Sequence, residues 1–247
     1  MTRSYPRRLA PLMILACFVF LSTTVLADGT EMLGTPSIDI ASGTGILVAG
    51  TGLDDGQPQN IEINITDPIV QVLLYWSGQS VDPFPTDDTI EINGVPLQGT
   101  LIGGPTPYGS APWHTQTYRR DITADGIVAL GPNTLVVEGL DFNFSNDGAG
   151  ILVIVDDGGD LVDFQLRDGN DFAYHAFSDP LDRTVPQTFT FAANPAERVA
   201  DLTFFVASVD DDTASLEPER PSSIEISIDG GLPTLYSNVL SSVDGRY

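Results

Sequence analysis

From Ala149 to Val155 the chain reads AGILVIV, an apolar run that suits a strand covered on both faces. From Leu161 to Arg167, Val162, Phe164 and Leu166 alternate with Asp163, Gln165 and Arg167, the period of two of a half-exposed strand. Between them Asp156, Asp157, Gly158, Gly159 and Asp160 predict the turn of a β-hairpin, and Asp168, Gly169, Asn170 and Asp171 a second acidic turn beyond it. Outside the N-terminal leader, no window of about 11 residues sustains the 3.6-residue apolar period of a helix. The chain is therefore expected to be all-β.

The same alternation recurs along the chain. Short strands are expected at Ile38 to Ile40 and Gly45 to Ala49, then a longer one through Ile61, Ile63 and Ile65. Val70, Val72, Leu74 and Trp76 share one face of the next, which makes Trp76 a core anchor. Thr89 to Ile92 and Pro96 to Ile102 flank Asn93-Gly94, a strong hairpin signal. Tyr118 to Thr123 is expected to end a strand and open a short helical turn, and Asn133 to Leu140 to form another strand. Farther on, Gln187 to Phe191 is expected to bury Phe189 and Phe191, and Arg198 to Ser208 to turn Leu202, Phe204 and Val206 inward. Ile224, Ile226 and Ile228 alternate up to the turn Asp229-Gly230-Gly231, and Leu232 to Leu240 provides a last candidate strand.

Arg3, Arg7 and Arg8, the apolar stretch Leu9 to Leu21 and the small residue Ala27 before Asp28 have the form of a secretory signal peptide cleaved after Ala27. The apolar stretch is shorter than the ~20 residues that span a bilayer. A rival lipobox reading around Cys17 fits poorly, because apolar residues continue past the cysteine. Cys17 is the only cysteine, so the mature chain has no intramolecular disulfide and must be held by its core. Cleavage leaves seven arginines against 34 acidic residues, a charge of −27. That balance argues against nucleic acid and anionic membrane surfaces as partners, and no membrane insertion is expected after cleavage. The absence of lysine excludes Schiff-base chemistry and the P-loop phosphate lysine.

Two stretches repeat one order of elements: Val70 to Ser77, an acidic Pro-containing loop and TIEING at Thr89 to Gly94; then Val199 to Ser208, a similar loop and SIEISIDG at Ser223 to Gly230. The expected organisation is a leader at 1–27, a β-sandwich lobe at 28–190 and a second, incomplete lobe at 191–247 packed on the first. Three readings account for the shorter second copy: an illusory repeat, a fragment of a longer chain, or a strand supplied by another copy or another surface protein.

Catalytic signatures are sparse. Neither G-x-S-x-G nor G-x-G-x-x-G is present, and His114 and His175 are the only imidazoles. Two facing carboxylates suffice for glycoside hydrolysis, but none of the 34 is singled out. Calcium, which gathers six to eight oxygens in flexible loops, is the cofactor considered. Its candidate ligands are Asp141, Asn143, Asp147, Asp156, Asp157, Asp160, Asp168, Asn170 and Asp171, none at EF-hand spacing; such residues also populate ordinary turns. Loop aromatics flanked by acidic and amide groups suit sugar binding, with Tyr108, Trp113, His114 and Tyr174 as candidates and Phe172 and His175 nearby. They are also the residues that cap a core.

YWSG (Tyr75 to Gly78), TIEING, YRRDIT (Tyr118 to Thr123), GAGILVIVDDG (Gly148 to Gly158) and LRDG (Leu166 to Gly169) together resemble a group of bacterial secreted and surface proteins. Those proteins carry a repeated β-rich ectodomain of unassigned function, often attached to wall or membrane anchors. The resemblance covers most of residues 36–231, implies an all-β fold and a surface location, and carries over no catalytic residue. No anchor is seen up to Tyr247, which leaves attachment open. The expected protein is an exported, antiparallel β-sandwich of jelly-roll type, acting as a structural or adhesive surface module without catalytic activity. Alternatives are a calcium-dependent carbohydrate-binding module, with a cell-surface glycan as partner, and an extracellular glycan hydrolase.

Overall fold

Two antiparallel sheets pack face to face. One has the order β1-β9-β3-β7-β6, built from Gly45–Gly52 (β1), Ile69–Ser80 (β3), Thr100–Pro107 (β6), His114–Asp121 (β7) and Ser145–Val155 (β9). The other has the order β2-β8-β4-β5, from Gln59–Ile65 (β2), Thr89–Ile92 (β4), Val95–Gln98 (β5) and Gly131–Glu138 (β8). A separate two-stranded sheet joins Ser223–Ile226 (β10) to Thr234–Ser237 (β11). This computed structural model describes residues 33–54, 56–107, 112–174, 177–193, 199–207, 209, 222–237 and 239. The leader expected at 1–27, Tyr108, His175 and the acidic loop expected from Asp210 lie outside the described residues. The all-β class and the antiparallel sandwich expected from alternation are both present.

The core lies between the two large sheets. Val72, Leu74 and Trp76 of β3, Ala149, Ile151, Val153 and Val155 of β9, and Ile90, Ile92, Leu135 and Val137 of the second sheet form one buried cluster. Trp76 stacks on Tyr118 with ring centroids 5.6 Å apart, and its indole N–H donates to the Asp87 carbonyl at 3.2 Å. Gly99 passes directly over that indole; a β-carbon there would lie 2.2 Å from the ring.

The opposite face of the five-stranded sheet is covered as well. Leu73, Tyr75 and Gln79 of β3, Ile154 of β9 and Arg119 of β7 are buried although they point away from the sandwich core. Their cover is chain without ladder pairing. Gly34 and Asp168 exchange backbone hydrogen bonds at 2.8 and 2.9 Å, Val162 N–H donates to the Gly43 carbonyl at 3.0 Å, and the Phe205 ring lies over Gly50 and Gly150. Arg119, cross-strand from Tyr75, is neutralised by Asp168 and also donates to Ser37 Oγ at 3.0 Å. Removing either charge alone would strand the other in a buried setting.

The hairpin expected between Ala149–Val155 and Leu161–Arg167 does not form. Ala149–Val155 is a doubly covered strand as expected, but β1 and β3 already pair along both of its edges. A third strand has no backbone groups left to bond. Leu161–Arg167 instead folds back over the outer face. Ile38–Ile40 is also not a strand. Phe189, Phe191, Leu202, Phe204 and Val206, expected inward, are 36–51% exposed, because no ladder covers the described parts of those segments. At 199–207 it is Phe205, itself 47% exposed, whose ring edge touches the sheet, 5.8 Å from Tyr75.

The Asn93-Gly94 turn has φ of 53° and 75°, the left-handed pair of a type I′ hairpin. Asp229 and Gly230, at 50° and 70°, repeat it between β10 and β11. The short helical turn after YRRDIT is a 3-10 turn at Thr123–Asp125.

Gly99→Ala should lower stability by about 1–3 kcal/mol, because the new methyl overlaps an indole held on every side. Urea denaturation reads this as a lower midpoint at unchanged slope; an unchanged midpoint would show that Trp76 is loosely seated.

Candidate functional site

The strand register brings four chain segments to one end of the five-stranded sheet. Ser80 at the end of β3 faces His114 at the start of β7, Gln79 faces Ser145 at the start of β9, and Gly52 at the end of β1 faces Gly148. The described segments next to these positions, at 53–54, 56–58, 81–88, 112–113 and 139–144, therefore emerge side by side.

Asn143 ties two of them together. Its Oδ1 accepts from Ser80 Oγ at 2.9 Å and from the Val81 N–H at 2.8 Å, and its Nδ2 donates to Asp82 Oδ2 at 3.0 Å. The neighbouring Phe144 N–H donates to the Gln79 carbonyl at 3.1 Å. Gln116 of β7 secures the next turn of the 81–88 loop, accepting from the Thr86 N–H at 2.9 Å and donating to the Phe84 carbonyl at 3.3 Å. Side-chain amides thus pin the 81–88 and 139–144 segments to strands of the sheet.

On this footing Trp113 and Phe144 stack in parallel, with centroids 4.1 Å apart and an interplanar angle of 18°. Phe144 is 47% exposed, Val81 46% and Phe84 56%. Apolar side chains held this open by a rigid frame form a surface patch rather than a core cap.

Beside Phe144, the Ser145 hydroxyl lies 2.9 Å from Asp147 Oδ1 and 3.0 Å from Asp54 Oδ1. One hydroxyl has one proton to give, so the two contacts are both satisfied when a carboxyl is protonated. Asp147 is the buried member and also accepts from Gln79 Nε2 at 3.3 Å. Burial first, and then the nearby Asp54 charge, push its pKa up to about 6, against the hydrogen bonds from Ser145, Gln79 and Ser77. Asp87, whose carboxylate receives the Asp141 N–H, is likewise pushed up to about 6, mainly by burial.

The expected calcium ligands fall into three separated groups. Asp141, Asn143 and Asp147 belong to this end of the sandwich. Asp156 and Asp157 cap the Gly158 and Gly159 N–H groups at 2.8 Å, and Asp160 is exposed in the same turn. Asp168 is spent on Arg119 and Tyr75, Asn170 bridges Thr115 and Thr117, and Asp171 accepts from the Val185 N–H at 2.9 Å. Among the described residues no three His, Cys, Asp or Glu side chains gather as a metal site. Turn capping and ion pairing account for the acidic residues placed so far from one another.

Of the expected sugar-binding residues, Trp113 belongs to the patch. His114 stands beside it at the start of β7, with Nδ1 buried and no hydrogen-bond partner among the described residues. Tyr174 packs edge-on to Phe177, 5.1 Å away, in another segment, and Tyr108 lies outside the described residues. Val81, Phe84 and Phe144 carry no site signature of their own in the sequence. The available signal was Phe144 within DFNFSND, an aromatic residue in a polar loop. No protein-family model, curated protein or solved structure matches this chain.

A carboxyl with a higher pKa folded than unfolded binds its proton more tightly in the fold. The stability it adds is complete below the unfolded value of about 3.9 and is lost as pH rises through about 6. Asp147→Asn, which imitates the protonated acid, should raise stability at pH 8 by on the order of 1–3 kcal/mol and leave it nearly unchanged at pH 4. Urea midpoints of the variant and the parent at both pH values measure this; equal shifts at the two would contradict a protonated Asp147.

Proposed function

We propose that this chain is an exported adhesive module without catalytic activity, which makes contact through the loop end carrying Trp113 and Phe144. The observation that carries the proposal is the patch itself. Val81, Phe84 and Phe144 stand about half exposed on loops bonded at several points to the sheet. Leaving apolar rings in water has a free-energy cost that a binding partner relieves. The pinned loops also keep the ordering cost of binding low. Export rests on the basic start, apolar stretch and small cleavage-site residue of the leader. Among the described residues no helix is long and apolar enough to cross a membrane.

The hydrolase alternative draws no support from this site. Asp54 and Asp147 flank one hydroxyl, and one of them has a raised pKa, as a general acid requires. Asp147 is only 8% exposed, however, and its Oδ1 is occupied by Ser145 and Gln79. A general acid has to reach the leaving-group oxygen. This pair serves the protein's own loop.

Fluorescently labelled chain lacking the leader should bind the surface of intact cells of the producing strain in flow cytometry. Phe84→Ala combined with Phe144→Ala should reduce that binding about tenfold, the loss of roughly 1.4 kcal/mol, with little change in melting temperature. Undiminished binding by the folded double variant would contradict the assignment of the contact to this end.

A further inference from the structure

Resting on that reading of the loop end, we infer that its ligand is a neutral carbohydrate, with a pyranose ring laid on the exposed side of the Phe144–Trp113 stack. Three features select this class.

The first is shape. Two rings at 4.1 Å and 18° form a flat step, not a cage. A cage of rings around a point suits a quaternary ammonium group, whereas a flat step suits the flat C–H face of a sugar. Its axial hydrogens carry partial positive charge and meet the negative face of the π-system.

The second is the polarity of the rim. Asp54 and Asp82 border the patch, both acceptors without donors when ionised. Segments 53–58, 81–88, 112–113 and 139–144 contain no arginine, and the chain contains no lysine. A ligand here must supply hydrogen-bond donors and must not bring negative charge. Sugar hydroxyls meet both conditions; uronic acids, sulfated glycans and nucleic acids fail the second.

The third is size. Phe84, Val81 and Phe144, each about half exposed, offer on the order of 300 Å². A stable protein partner needs about 800 Å² on each side, whereas one or two sugar rings fit the area available.

The test is isothermal titration calorimetry of the chain lacking its leader. Its probes are soluble neutral polysaccharides built from glucose, mannose, galactose and N-acetylglucosamine, with polygalacturonate and an oligoarginine peptide beside them. At least one neutral polymer should bind with a Kd of roughly 10 μM to 1 mM, a range ordinary for such a small contact. That affinity should change less than about twofold between low and high salt, since no ligand charge is engaged. Phe144→Ala should weaken it at least tenfold, and Phe144→Trp, which widens the platform, should retain it; melting curves establish that both variants are folded. Failure of every neutral polymer to bind overturns the inference. So does salt-sensitive binding to oligoarginine alone, or neutral-polymer binding that folded Phe144→Ala leaves intact. If the Phe84/Phe144 double variant still loses cell attachment while no neutral polymer binds, the sugar assignment falls and the adhesive reading stands. If neither assay responds, both fall.

Discussion

The structure depends on the pairing of β3 with β9, two long strands covered on both faces and paired along both edges. Cys17 is the only cysteine, so no intramolecular disulfide holds the chain together. Burial on both sides of one sheet takes that role, adding Leu73, Tyr75 and Ile154 of the central strands to the apolar surface removed from water. The arrangement also accounts for the polar groups found deep in the fold. Arg119 and Tyr75 point away from the sandwich core, so they need partners in the covering chain, and Asp168 supplies one for both.

The same pairing builds the candidate site. Since β1, β3, β7 and β9 are antiparallel neighbours in register, their connections leave at one level. Side-chain amide hydrogen bonds of Asn143 and Gln116 tie the 81–88 and 139–144 segments to β3 and β7. The aromatic stack is thus carried where loops bonded to β3 and β7 come together. The Ser145 hydroxyl shared by Asp54 and Asp147 is next in sequence to Phe144.

Where side chains alternate and a turn carries its own chemistry, the fold is legible from sequence. Asn93-Gly94 fixes a type I′ turn because few residue pairs tolerate two left-handed conformations, and Ile61, Ile63 and Ile65 reveal their face by period alone. The hairpin expected beyond Val155 does not form because alternation reports a half-covered segment, not the identity of its cover. Pairing is competitive, and β1 and β3 hold both edges of β9. At 199–207 alternation marks out Leu202, Phe204 and Val206, whereas Phe205 is the side chain that touches the sheet at Gly150, and all four stay about half exposed. The site was half legible. Trp113 stood out as a loop aromatic, while Phe144 and Phe84 became visible only once register had brought distant loops to one end. The acidic turns were legible as turns. Whether they converge is a three-dimensional property that composition does not contain.

Native-state hydrogen exchange tests most directly the claim that the doubly covered β3–β9 pair is the foundation. Backbone amides of Val72–Trp76 and Ile151–Ile154 should exchange only through global unfolding, with opening free energies equal to that measured in urea. Those of Ser223–Ile226 and Thr234–Ser237, in a two-stranded sheet with exposed faces, should exchange orders of magnitude faster. Equal protection across both sets would contradict the account, as would faster exchange in β3 and β9, because the fold's stability would then reside outside the pair to which it is ascribed.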